Sequence, residues 1–113
     1  MRRFLLFLVL LLAAAAPARA DDISAAGRSV VRVVVVALEE GAVVGFGHGS
    51  GFAVAPNRIV TNAHVVRPAL EHPKNVIVGI VPSEGSRSYG ARVIRVDPSR
   101  DLALLEMEEG ALP

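Results

Sequence analysis

Gly49-Ser-Gly-Phe-Ala-Val-Ala-Pro-Asn-Arg-Ile-Val-Thr-Asn-Ala-His-Val-Val66 is the stretch on which the reading of this chain turns. Two short apolar strands, Phe52 to Ala55 and Ile59 to Thr61, flank a turn at Pro56-Asn57 and deliver His64 just past the second strand. Pro56 presets the φ of a turn's second position, and Asn57 tolerates the unusual backbone angles that follow, so a hairpin is expected. A lone histidine at a sheet edge is ordinarily structural. His64 stands above that background because of Ser99-Arg-Asp-Leu-Ala-Leu-Leu-Glu106, where Asp101 immediately precedes an apolar strand. A carboxylate at a strand mouth can accept the Nδ1–H of a nearby imidazole, fixing its tautomer and leaving Nε2 free to take a proton. Those are two members of a nucleophilic triad.

Thr61-Asn-Ala-His-Val-Val66, preceded by Gly49-Ser-Gly-Phe52 and followed by Asp97-Pro-Ser-Arg-Asp-Leu-Ala-Leu-Leu105, resembles the trypsin-like serine proteases of bacterial envelopes, the HtrA/DegP type especially. The three blocks fall in family order and span roughly Ser29 to Glu106. The resemblance implies an all-β fold, a closed Greek-key β-barrel that is the first of the family's two. It assigns His64 the part of general base and Asp101 that of its orienting carboxylate. It implies a serine endopeptidase that acts on polypeptide substrates without a cofactor. The family's third block, a Gly-x-Ser-Gly-Gly type loop, does not occur in the sequence. The nucleophile is therefore expected on a missing C-terminal barrel, and the 113-residue chain alone is expected to be inactive. Two other readings stay open: a non-catalytic, protease-like barrel serving as a binding or scaffold module, and a truncated reading frame. Val65 stands where animal members of the family typically carry a disulfide cysteine, which points to the disulfide-free bacterial branch.

The start of the chain reads as a secretory signal peptide. Arg2 and Arg3 form a positive n-region, Phe4 to Ala16 is unbroken apolar sequence, and Ala18-Arg19-Ala20 is a small-x-small cleavage pattern. The apolar run falls short of the ~20 residues a spanning helix needs. Export to the periplasm or beyond, with cleavage after Ala20, is expected, and membrane contact only during that export. Residues 21–28 then form a linker, 29–107 the barrel, and 108–113 the start of a linker to the second barrel. Of twelve Lys and Arg, three lie in the leader, which leaves nine against eleven Asp and Glu, a balance near −2. No basic patch for nucleic acid survives that balance. There is no cysteine, so stability must come from a core.

Downstream, strands recur between turn signals. Ser29 to Leu38 is almost all β-branched, its one charge Arg32 belonging on a solvent face, and Glu39-Glu40-Gly41 supplies a hairpin turn back into Ala42 to Phe46. From Gly45 to Phe52 glycine recurs at every second position, placing four glycines on one strand face and Phe46, His48, Ser50 and Phe52 on the other. Such a bare face permits close approach of another element. The glycine spacing matches no phosphate loop, and around Ser50 a nucleophile elbow would need glycine where His48 and Phe52 stand. Arg67 to Pro73, with two prolines, reads as an irregular loop with at most a helical turn from Pro68. His48, His64 and His72 lack metal-ligand spacing, so no metal is expected. Strands follow over Asn75 to Val81 and Tyr89 to Val96, the latter alternating Ala91, Val93 and Arg95 against Arg92, Ile94 and Val96, with the charges outward near the strand ends. Asp97-Pro98-Ser99-Arg100 is a type I turn signal ahead of the last strand, Leu102 to Met107. With no helix-period stretch beyond the leader, an all-β barrel or sandwich is expected.

Overall fold

The computed structural model describes residues 27–85 and 87–108. The leader and most of the two flanking linkers read from the sequence lie outside these residues. From residue 30 on, the described elements follow in order: β1 (Val30–Glu39), β2 (Ala42–Ala55), β3 (Arg58–Asn62), α1 (Ala63–Glu71), β4 (Val76–Pro82), β5 (Tyr89–Asp97) and β6 (Leu102–Met107). The strands close into an antiparallel barrel in the order β1-β2-β3-β6-β5-β4, as expected of an all-β, Greek-key protease barrel. Closure leaves little exposed sheet edge, which suits strands this rich in valine.

Each hairpin follows from local chemistry. Glu40 and Gly41 take positive φ, 52° and 81°, the pair of angles a two-residue turn needs to match the twist of β1 and β2. Pro56-Asn57 joins β2 to β3, but Asn57 is not among the positive-φ residues; its carbonyl instead accepts the Met107 N–H at 2.8 Å. Alternation along β1 buries Val31, Val33 and Val35 and leaves Arg32 exposed. Val31 and Val33 pack with Ile59, Ile80, Ala103 and Leu105, all at most 2% exposed, around the barrel axis. The glycine face of β2 points the same way: Gly51 is buried, and a Cβ there would lie 2.8 Å from Ile59 Cγ2. The opposite face is open to solvent, with Phe46 66% and Phe52 59% exposed.

Two expectations fail. Strict alternation along β5 would group Val96 with Arg92 and Ile94, on the face away from Ala91 and Val93. A bulge between Val93 and Arg95 turns the strand, so Val96 packs on the core and Arg95 is exposed. The second correction is α1, which the two prolines had marked as irregular loop. Ala63 and Val66 are buried, Ala69 packs behind them, and His64, Arg67 and Glu71 are exposed, a helical rather than strand period. Pro68 lies inside the helix and cannot donate to the His64 carbonyl, a defect of about 3 kcal/mol in an unsupported helix. Burial of the Ala63–Val66–Ala69 stripe against the barrel offsets it, at about 1.5–3 kcal/mol for a side chain the size of Val66. The helix ends where His72 N–H reaches the Pro68 carbonyl at 2.9 Å, just before Pro73.

Candidate active site

The junction between β3 and α1 sets the position of His64. β3 pairs with β6 so that Asn62 lies opposite Leu102, which carries Asp101, the residue before β6, to the first turn of the helix. Four hydrogen bonds fix it there. The Asp101 carbonyl accepts from Ala63 N–H at 3.0 Å and from Asn62 Nδ2 at 3.2 Å. Its Oδ1 accepts the His64 backbone N–H at 2.8 Å, and its Oδ2 lies 2.6 Å from His64 Nδ1. Asn62 occupies the cap position of α1, yet its side chain makes no capping bond. Asp101 supplies the cap from the turn before the neighbouring strand, its negative charge at the positive end of the helix.

The electrostatics fix the tautomer. The hydrogen bond from the His64 side chain, then that from the His64 backbone, with a smaller contribution from Arg67, holds the Asp101 carboxyl below its ordinary range. An ionised carboxylate only accepts, so the hydrogen of the 2.6 Å contact belongs to His64 Nδ1; in the neutral ring this leaves the lone pair on Nε2. Both groups stay accessible, their side chains 60% and 43% exposed.

Supporting contacts surround the pair. The Asp97 side chain closes the turn before Asp101, accepting from Ser99 Oγ at 2.7 Å and from the Arg100 backbone and guanidinium, each at 3.3 Å. Buried Thr61 donates its Oγ1 to the Ser50 carbonyl at 2.7 Å, tying β3 to β2 one turn before the histidine. Gly49 meets Val65, the residue after His64: a Cβ at Gly49 would stand 2.6 Å from Val65 Cγ2. The sequence reading singled out His64 and Asp101, and the structure brings them into direct contact. It passed over Asn62 and Thr61. A polar residue on the doorstep of a helix was the available signal for Asn62, but it would have suggested capping, not the bond to Asp101. His48 on β2 and His72 after α1 lie on other elements, and among the described residues no group of three or more His, Cys, Asp or Glu could hold a metal ion.

The trypsin-like peptidase domain family matches residues 49–113. Among related sequences, a serine protease of Mycobacterium tuberculosis is 40% identical over 57 residues, half of this chain and 12% of its own length. The mitochondrial Do-like 12 protease of Arabidopsis thaliana is 38% identical over 60 residues, 53% of this chain and 11% of its own. Among solved structures, Deg5 superposes with a TM-score of 0.57 at 27% identity, covering 77% of this chain and 42% of Deg5. The aligned part thus spans about an eighth of the length of these sequence relatives. The barrel order, the His64–Asp101 junction and the family match over more than half of the chain agree: this chain belongs to the trypsin-like peptidase domain family, on its HtrA-like side.

Proposed function

We propose that this chain is the histidine- and aspartate-bearing barrel of an exported serine endopeptidase, which hydrolyses peptide bonds in polypeptide substrates. The observation that carries the reading is the 2.6 Å contact between His64 Nδ1 and Asp101 Oδ2 at the start of α1. Asp101, ionised and bonded to the backbone N–H and to Nδ1 of His64, restrains the ring and stabilises the imidazolium formed when Nε2 takes a proton. His64 then acts as base toward a serine hydroxyl and as acid toward the departing amine. The serine and its oxyanion donors come from a second barrel encoded outside these 113 residues. The sequence supports this division of parts. Ser50 sits on β2 with no flanking Gly-x-Ser-Gly context, and Ser99 spends its hydroxyl on Asp97. Export follows the leader pattern, so the mature periplasmic or secreted protein begins at Asp21.

A second reading, a non-catalytic module that binds through its surface, draws on the outer face of β2, where Val44, Phe46, Phe52 and Val54 are each about three-fifths exposed. A fluorophosphonate probe separates the two. The 113-residue chain stays unlabelled. The same chain extended by its natural downstream sequence labels at one serine, hydrolyses a casein substrate, and loses that activity on His64→Ala. An extended protein that neither labels nor hydrolyses would favour the binding module. Labelling of the short chain, abolished by His64→Ala, would place the nucleophile among serines read here as structural.

A further inference from the structure

We propose that Asn62 is a positioning residue: its side-chain amide holds the Asp101 backbone in a left-handed conformation and thereby aims the Asp101 carboxylate at His64. The inference rests on reading His64 and Asp101 as a base and its orienting carboxylate, and adds the group that keeps the second in place.

Asp101 has φ = 55°, one of two non-glycine residues with positive φ among the described residues. A side chain there is disfavoured, and aspartate tolerates it better than most without preferring it. Something outside the residue must hold it. On one side its N–H reaches only the Pro98 carbonyl, at 3.3 Å. On the other its carbonyl receives two donors, Ala63 N–H at 3.0 Å and Asn62 Nδ2 at 3.2 Å, which use both oxygen lone pairs. The Ala63 donor is backbone and is present whatever residue occupies position 62. The Asn62 donor is a choice of side chain. An asparagine at a helix cap ordinarily turns back onto its own helix, and this one does not: Asn62 has extended φ and ψ of −77° and 140°, no side-chain cap bond, and an amide directed across to β6. The cap it forgoes is supplied by Asp101 Oδ1 on the His64 N–H. The two residues have exchanged duties, Asn62 fixing the Asp101 main chain and the Asp101 side chain fixing the helix and the imidazole. Without the Asn62 donor the Asp101 peptide relaxes toward the extended angles of β6, and its Cβ swings the carboxylate off His64.

The charged groups about the Asp101 carboxylate are His64 and Arg67 from α1, with Arg100 and Asp97 in its own turn; β3 contributes the neutral Asn62. The Asp101 carboxyl is held low first by His64, so its titration reports how well the pair is aligned. Carboxyl carbon NMR on the full chain reads Asp101 and Asp97 in one experiment. Asn62→Leu keeps the branching at Cγ and removes the donor. Loss of one neutral hydrogen bond shifts a local equilibrium by about two- to tenfold, so the Asp101 midpoint should rise by roughly 0.3 to 1 pH unit. Asp97, held low chiefly by Ser99, should stay where it is, and the amides of Ile59 and Leu105 should keep their exchange protection. An unmoved Asp101 midpoint, or an Asp97 midpoint that moves with it, overturns the proposal. Asn62→Ala, which adds no bulk, carries the same expectation and the same refutation should the leucine variant lose its core. A wild-type chain with the low Asp101 midpoint but no peptidase activity in its extended form would sink the enzymatic reading and leave this one standing.

Discussion

Adding one methyl group at Gly49 or at Gly47, two residues apart on β2, should move stability in opposite directions. At Gly49 the added carbon would lie 2.6 Å from Val65 Cγ2 and 3.0 Å from Cγ1, whereas carbon atoms pack favourably at about 3.5–4.0 Å. Val65 cannot simply rotate away, because a β-branched side chain in a helix has one strongly preferred χ1. It is also tied between His64 and buried Val66, so the overlap must be relieved by moving the first turn of α1. Overpacking of this kind costs about 1–3 kcal/mol. Against it, exchanging glycine for alanine where φ is ordinary reduces the freedom of the unfolded chain and returns about 0.4–1 kcal/mol. Gly49→Ala should therefore lose about 1–2 kcal/mol, which for a domain of this size lowers Tm by about 4–16 °C. Gly47, with nothing within 4 Å of its would-be Cβ, should gain the unfolded-state term alone. Urea and thermal unfolding followed by circular dichroism measure both. Adding Val65→Ala removes the two methyls in question and should recover at least about 0.5 kcal/mol beyond additivity. The reasoning fails if the two alanine variants shift stability with the same sign, or if the Gly49→Ala/Val65→Ala pair is additive.

Three further outcomes follow from the fold. Leu105→Ala, emptying a fully buried position paired with Ile59, should cost about 2–5 kcal/mol in urea unfolding, and a loss below about 1 kcal/mol would show that the barrel collapses into the space. Asp101, Asp97 and Glu106 are held below their ordinary values first by His64, Ser99 and Arg92 respectively. Because these folded pKa values are depressed, the stabilisation is present above the unfolded values of 3.8 and 4.5 and is lost as pH falls through the folded ones. Stability should thus decline below about pH 4.5, less steeply at high salt since all three groups are near the surface, and a flat acid profile would contradict the pairings. Replacing Phe46 and Val54 together by serine should reduce binding of an apolar dye and concentration-dependent association of the chain, with unchanged far-ultraviolet circular dichroism; undiminished dye binding would place the exposed apolar surface elsewhere.

The strands were legible because their pattern is nearly pure. A run such as Val30 to Leu38 can be little else, and Glu40-Gly41 and Pro56-Asn57 punctuate it with recognisable turns. The glycine alternation announced a close approach, and Val65 and Ile59 make it. α1 was hidden by its prolines: propensity disfavours a helix through Pro68, and only the barrel wall, a tertiary partner that no local window contains, overrides it. The β5 bulge was hidden for a related reason, since alternation counts residues and cannot register one skipped by the pairing with β6. At the site, residue types and order marked His64 and Asp101, but not the route between them. That Asp101 also caps α1, and that Asn62 reaches across to it, depends on the β3–β6 register, which links residues some forty positions apart.

The same register sets when in folding the histidine acquires its partner. The β1–β2 and β2–β3 hairpins join neighbours in sequence and can close early, and α1 follows β3 directly. Asp101 arrives only with β6, whose pairing from Arg58↔Glu106 to Asn62↔Leu102 closes the longest loop leading to the site. Loop closure of that length, like that of the β1–β4 pairing, costs more entropy than closing a hairpin and comes after the hairpins. Before that step α1 lacks its carboxylate cap and the imidazole lacks its restraint. Pairing of β3 with β6 and orientation of the histidine are one event, so a chain that has not made that pairing has no oriented base, and the first turn of α1 should be the late-forming part of the helix in a φ-value survey of this domain.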